Sequence, residues 1–462
     1  MNKTNKLQKI LMTACLCVMV FFAATVVLRF FTRQVLVLKL GMDNGFTRAV
    51  FFDHSELRNQ PGQDVHTYGD TDDYSYHWAA EYPFPREQAA AGEEASRIAA
   101  LADRYTGIVE SLKTRIDNYT QDNLIFYKDI TGAAGKLEQG LGWNFAAFNE
   151  YNGLYRMEDG WWTALLPRLD VTESADSVIS FSEFLRGEEI DLLYVQAPFK
   201  VCKEDKEISG ILDFSNQNAD QLLEILTEAG VDTLDLRQRL HETGRAHHES
   251  FFVTDHHWTG ETGLWAAGEI AGKLRESYGY AMDPALLAPE NFRREVLEDA
   301  FLGSQGKKLT LQVVQPEDIA FLYPNYENQL RFRIPSIGID LTGDFSVTYN
   351  REALEGEDLY EQDPYHAYSY GDRALIRYEN LTDASLAEQK VLLLHDSFSD
   401  VVQSFLALGL KNLEAMDLRY FDGSLESYIR ENKPDLVIVM INAGEISGKI
   451  NRDSHRDLFD FR

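Results

Sequence analysis

Cysteine is scarce: the 462 residues contain three, Cys15, Cys17 and Cys202. Two of these lie in an apolar run near the N-terminus, so the rest of the chain has neither a disulfide framework nor a cysteine-based metal site. A chain this long can bury a large core without such staples. Positive charge is also short, with 44 Lys and Arg against 74 Asp and Glu and a net charge of −30. That balance excludes a protein that grips nucleic acid through its phosphates. It also disfavours anionic lipid headgroups and points to a neutral or cationic partner, or simply to solubility. No internal repeat is evident.

One apolar run, Ile10 to Leu28, follows Lys3, Lys6 and Lys9 and precedes Arg29 and Arg33. It is about one bilayer crossing of ~20 residues. No small-x-small cleavage site with a polar start follows, and Phe30, Phe31 and the mostly apolar Val35 to Leu40 extend the greasy character of the chain. The run therefore reads as an uncleaved signal anchor. Basic residues on its short side predict a cytoplasmic N-terminus, a single membrane pass and an extracellular main domain at the cell membrane.

The expected organisation is a cytoplasmic tail and signal-anchor helix over 1–31, then a stalk and N-terminal helical region over 32–140. An α/β domain follows in two parts, 141–292 and 386–462, with a β-rich insertion over 293–385 between them. Ile98, Leu101, Tyr105, Ile108, Leu112 and Ile116 recur at helical spacing in the second segment. This fits a helix packed on its own domain, or a short coiled coil. "YNGLYRMEDGWW" (151–162) reads as two short strands and a turn. Strands are expected at "IDLLYVQAP" (190–198), "VDTLDL", "KVLLLHD" (390–396), "LEAMDL" and "DLVIVMIN" (435–442). Helices alternate with them, at "NADQLLEILTEAG" (218–230), after Thr259, after Ser397 and over "SLESYIRENKP". Such alternation predicts a mostly parallel sheet with helices on both faces. Within 293–385, "LTLQVV", "LRFRIPSIGIDL", "FSVTY" and "ALIRYEN" look strand-like.

Sites in such sheets collect where strand C-termini meet helix N-termini. Two junctions carry reactive side chains. In "LLLHDSFSD", Ser397 stands at the start of a helix, where the dipole favours an anion; the bland reading is that Ser397 or Asp396 caps that helix. In "TDHHWTGETG", Asp255 and His257 are two apart, a spacing that can supply a base and the acid that orients it. The same histidines also admit a metal site or a structural pair, although adjacent histidines point apart on most backbones.

With these motifs in place, the chain resembles the bacterial DHHW protein family, which is similar to the alginate O-acetyltransferases of the SGNH hydrolase superfamily. "NGLY" with "DGWW", "VQAPFK", "VTDHHWT", "FLGSQGK", "DPYHAYSYGDRALI", "LLLHDSFSD", "DLRYFD" and the terminal "DLVIVMIN" come in the family's order. The resemblance implies an SGNH-like fold and a catalytic triad of Ser397, His257 and Asp255, with His256 structural. Asn442 resembles a second oxyanion donor. Trp258 is expected to pack or to stack on a sugar. Lys200, in "APFK", is either a substrate or oxyanion contact or an exposed loop lysine. Two positions depart from the pattern: His395 stands where relatives often have Gly, and Asp372 where they often have Asn. The implied function is an O-acetyltransferase that passes an acetyl group through Ser397 to a cell-surface or exopolysaccharide glycan, partnered by a membrane-bound O-acyltransferase. An acetylesterase with the same triad and a non-catalytic glycan-binding scaffold are the alternatives. No cofactor, metal or nucleic acid is expected.

Overall fold

The computed structural model describes residues 127–140, 145–146 and most of 154–462, with short gaps at 158–159, 167, 204–212, 357, 383–385, 387, 449 and 451–455. The apolar run at 10–28 and the helix expected over 98–116 lie outside the described residues. Among the described residues no helix is long and apolar enough to cross a membrane. Helix α1 (Tyr127–Gly140) belongs to a first compact unit, of which it is the described part.

In the second unit, β1 (Phe145–Ala146), β2 (Leu154–Arg156) and β3 (Trp162–Ala164) form a small antiparallel sheet. The expected hairpin over 151–162 is its last pair. Then come α2 (Thr172–Gly187), β4 (Asp191–Ala197), α3 (Ser215–Glu228), β5 (Asp232–Asp235), α4 (Leu236–Glu242) and α5 (Gly260–Tyr278). The middle of the chain supplies β6 (Phe292–Phe301), the short α6 (Ser304–Leu309), β7 (Glu317–Pro324), β8 (Leu330–Ile334), β9 (Ile339–Gly343) and β10 (Ile376–Asn380). Last are β11 (Lys390–His395), α7 (Ser399–Leu406), β12 (Asn412–Met416), α8 (Leu425–Asn432) and β13 (Leu436–Asn442).

The central sheet has the order β5-β4-β13-β11-β12-β10-β8-β9. It is mixed rather than mostly parallel. The first five strands pair in parallel, and β10, β8 and β9 extend the sheet antiparallel. Of the stretch expected as an insertion, 293–385, three strands therefore continue the main sheet, while β6 and β7 make a separate two-stranded ribbon. Two expected strands there are not strands. In "LTLQVV", Leu309 ends α6 and the next residues turn, because the start of this helix is fixed by bonds of Gly303 and Gly306 N–H to Thr254. "FSVTY" begins a 3-10 turn in which the Asp344 side chain accepts from Ser346 N–H. Local capping outweighs strand propensity in both.

Why the central strands read as continuous apolar runs is visible in their alternation. Leu193, Val195, Leu393, Ile438 and Met440 face a core shared with α5 and α7. Leu192, Tyr194, Leu392, Leu394, Val437 and Val439 face the opposite core, shared with α2, α3 and α8. Both faces are covered, so no polar alternation remains. α5 approaches α7 closely at Gly263, where a Cβ would lie 2.3 Å from Val401 Cγ1. Added volume at such a contact strains it by about 1–3 kcal/mol. Gly268 on the same helix has open space around it. Gly263→Ala is therefore expected to lower the unfolding free energy by about 1–3 kcal/mol. Gly268→Ala should be neutral or gain up to about 1 kcal/mol from helix propensity. Urea denaturation of the two variants side by side checks both.

Candidate active site

The segment before α5 is a tight loop. Phe251 and Trp258 bridge antiparallel, Thr259 N–H donates to Ser250 O and Phe252 N–H donates to His257 O. Thr259 then caps α5 by accepting from Thr262 N–H. From outside, the Glu317 carboxylate at the start of β7 takes the N–H groups of Val253 and Thr254, each at 2.6 Å, and the Thr254 hydroxyl. This double clamp presents Asp255 and His257 on the inside of the loop.

Asp255 is buried. Its Oδ1 accepts from the backbone N–H of His257 at 3.1 Å and pairs with His257 Nδ1 at 2.6 Å, while Oδ2 accepts from Ser304 N–H at 2.5 Å. Burial by itself would raise this carboxyl, but the two histidines and these hydrogen bonds outweigh it and hold the group well below the usual carboxylate range. A carboxylate can only accept, so His257 Nδ1 carries the proton and Nε2 is left as the acceptor. His257 Nε2 lies 2.7 Å from Ser397 Oγ. On one flank the imidazole stacks on Tyr365 at 3.8 Å between centroids and 8° between planes.

Ser397 follows the C-terminus of β11 in a turn that enters α7. Neither side chain caps α7, whose N-cap is Phe398; Asp396 instead closes the turn that precedes it. Asp396 Oδ1 accepts from Phe398 N–H at 3.0 Å, and Oδ2 accepts from the N–H and the Nδ2 of Asn442 at 2.6 and 2.7 Å. The serine hydroxyl is thereby directed at His257. His256 Nδ1 lies 3.2 Å from Asp255 Oδ1. Burial, then His257, pushes the His256 imidazole down to about 3. A ligand atom of each of Asp255, His256 and His257 lies within 4.8 Å of the others. However, the 2.6 Å separation of His257 Nδ1 and Asp255 Oδ1 is a hydrogen bond, shorter than two ligands of one ion allow at bonds of about 2 Å.

Three expected ligand contacts are corrected. Trp258 is wholly buried, and its indole N–H donates to Phe398 O at 2.9 Å, so it ties the two junctions together and offers no face to a sugar. Lys200 is also buried rather than exposed. Its Nζ donates to Trp162 O at 2.6 Å and to Val253 O and Gln305 Oε1 at 3.1 Å, which occupies the three protons an ammonium has. It binds the β2–β3 hairpin, the histidine loop and α6. Asn442 spends its backbone N–H and its amide on Asp396 and thus shapes the serine turn. Conversely, Tyr365 and the Ser304 N–H were not foreseen as parts of the site. Both lie in stretches already singled out, "DPYHAYSYGDRALI" and "FLGSQGK".

Residues 160–306 match the family described as an SGNH hydrolase-like domain, acetyltransferase AlgX. The resemblance read from the motifs is borne out. The matched stretch holds Asp255, His257 and Ser304 and ends before Ser397. Among solved structures, Bacillus cereus PatB1 with a sulfonyl adduct is 19% identical, covers 66% of this chain and 97% of its own, and superposes with a TM-score of 0.53. A DHHW family protein from Eubacterium siraeum is 16% identical, with a TM-score of 0.49 over 64% of this chain and 93% of its own. The likeness to PatB1 shows a shared fold. No curated protein sequence matches the chain.

Because Trp258 joins the two junctions, Trp258→Phe keeps most of the packing and deletes one buried hydrogen bond. A cost of about 1–3 kcal/mol follows from the carbonyl left unpaired. The expected outcome is a lowered thermal midpoint together with parallel losses of every ester-cleaving activity, whatever the acceptor. A loss confined to oligosaccharide acceptors, with unchanged thermal unfolding, would return Trp258 to a ligand site.

Proposed function

We propose that this protein is an O-acyltransferase that moves an acetyl group through Ser397 to a glycan hydroxyl. The carrying observation is the continuous chain of hydrogen bonds from Asp255 Oδ1 to His257 Nδ1 at 2.6 Å and from His257 Nε2 to Ser397 Oγ at 2.7 Å. In the first half-reaction Ser397 Oγ attacks the acetyl carbonyl carbon and gives its proton to His257 Nε2. The charge on the tetrahedral oxygen develops near the N-terminus of α7, whose dipole favours it. The bond to the leaving group breaks as that group takes the proton from His257, which leaves an acetyl-serine ester. In the second half a sugar hydroxyl passes its proton to His257 and attacks the ester. The serine oxygen leaves with that proton, and the product is an O-acetylated sugar. Asp255 stays ionised throughout and holds the imidazole in the tautomer both halves require.

The description of the matched family as an acetyltransferase favours transfer over hydrolysis. The apolar run Ile10 to Leu28 with its basic flank supports a membrane anchor and an extracellular catalytic domain. A glycan at the cell surface is then the acceptor within reach, and the acetyl group has to be exported by a membrane-bound partner of the O-acyltransferase kind. Protease added to intact cells is expected to digest the domain; a protected domain would overturn the anchoring and the cell-surface acceptor together.

The chemistry is tested with a chromogenic acetyl ester, with and without oligosaccharide acceptors. Ser397→Ala, His257→Ala and Asp255→Ala should each lower turnover about 10⁴-fold or more, since members of such a unit fail together. His256→Ala should lose far less. PatB1 carries a sulfonyl group as an adduct, so a sulfonyl fluoride is a matching probe, expected to label wild-type protein and not Ser397→Ala. Ester cleavage that no oligosaccharide diverts to an acetylated product would make the protein an esterase. An active His257→Ala beside an inactive His256→Ala would move the base by one residue.

A further inference from the structure

Behind the serine turn lies a second buried polar cluster that the acyl-transfer chemistry does not use. Asp372, His395 and Asp400 each offer a ligand atom, and these atoms lie within 4.8 Å of one another. His395 is 1% exposed and Asp400 0%. Among the described residues, His395 Nε2, Asp400 Oδ2 and Asp372 Oδ1 are all buried without a hydrogen-bond partner. A buried group left unpaired costs about 1–3 kcal/mol, and more when charged, so three at one place call for a common partner.

The chemistry of the three atoms says what kind. His395 Nδ1 is 2.8 Å from Asp396 O. A carbonyl can only accept, so Nδ1 carries the proton and Nε2 presents a lone pair. Every atom converging on the cluster is thus an acceptor, and a cation satisfies all three at once. The remaining atom of each side chain is held from outside. Asp372 Oδ2 faces Arg419 Nη2 at 3.2 Å, and Asp400 Oδ1 accepts from Gln403 Nε2 at 3.4 Å. Such outer bonds fix the direction of the inner atoms, as around metal ligands. Charge points the same way. Asp417 is buried beside them and engages Arg419 through two nitrogens. Burial and the neighbouring carboxyls of Asp372 and Asp417 push the Asp400 carboxyl well above its usual range, against the pull of Arg419 and Arg373, and a cation among these acids would relieve that crowding.

We propose that Asp372, His395 and Asp400 bind a divalent transition-metal ion of the zinc type behind the serine turn. One imidazole nitrogen and two carboxylate oxygens suit zinc, whereas copper(I) prefers sulfur. His395 stands two residues before Ser397 and Asp400 three after it. An ion held by both pins the two sides of the turn to each other and to Asp372. Its role is to position Ser397, without contact with the reacting atoms. The proposal is independent of the acyl-transfer reading, since metal binding is measured directly.

The test uses the full-length chain in detergent, stripped with a chelator and dialysed against zinc, with manganese and calcium in parallel, and read by elemental analysis. One zinc per wild-type chain is expected. His256→Ala should keep it, and His395→Gln and Asp372→Asn should each bind at least about 10-fold more weakly. Wild-type protein that takes up none of the three ions stoichiometrically would overturn the proposal and assign the cluster to shared protons. Full zinc binding by a folded His395→Gln would overturn it by placing the ion elsewhere. Should the variants not fold, X-ray absorption on zinc-loaded wild type decides. A first shell with one imidazole among oxygens supports the site, and two imidazoles or none refutes it.

Discussion

The Asp255 carboxylate is the point on which the site hangs. A buried charge persists only where donors replace the water it has lost, and here the donors come from two separate stretches of chain, His257 and Ser304. The same bonds that keep Asp255 ionised therefore fix the direction of the imidazole and the start of α6. Gly303 follows from this. A Cβ there would lie 2.3 Å from Asp255 Cβ and 2.6 Å from Thr254 O, so the approach of the two segments excludes a side chain. Glu317, on the outer side, pulls Val253 and Thr254 toward β7. A buried acid, Asp255, and a half-buried one, Glu317, thus hold one loop from opposite sides, and only the inner one bonds the histidine that reaches Ser397.

Ser397 reaches this loop from 140 residues away because of where its strand sits. β11 lies between β13 and β12, so its C-terminal end emerges beside that of β13. The neighbour's last residue, Asn442, supplies two of the donors that Asp396 needs. The turn at Ser397 is then closed by its own Asp396 on one side and by the Trp258 indole, donating to Phe398 O, on the other. α5 and α7, which carry the two halves away from the site, pack at Gly263 without room for a methyl group. Sheet order, the two turns and the helix contact all set one distance, that between His257 Nε2 and Ser397 Oγ.

Much of this was legible in the sequence, for identifiable reasons. Strands buried on both faces leave continuous apolar runs, and β4, β11 and β13 were found where such runs occur. The Asp-x-His pair and the serine were found because each sits where a helix begins after a strand or loop. What failed was the inference of role from proximity to a motif. Trp258, Lys200 and Asn442 stand beside reactive residues, yet all three are turned inward as braces. A one-dimensional sequence does not show which side of a loop faces solvent. Tyr365 and Ser304 were missed for the converse reason: each acts on a residue distant in sequence, one through a ring face and the other through a backbone N–H that any residue but proline could supply. The strand misreadings at 309–314 and 345–349 arose where side-chain or backbone caps override β-propensity.

The pair His256–His257 shows why doubling a histidine need not double its chemistry. In the proposed reaction, taking a proton from Ser397 would make His257 an imidazolium. A second charged imidazole at a centroid distance of 3.8 Å would oppose that step. At an effective dielectric of about 20, two like charges roughly 4 Å apart repel by about 4 kcal/mol, or some three powers of ten in rate. His256 escapes this conflict because burial and its neighbour push its imidazole down to about 3, so it is neutral at neutral pH. The charge of Asp255 is then available to His257 at 2.6 Å rather than shared between two cations. The low basicity of His256 is then a condition for His257 to serve as the base of the proposed reaction.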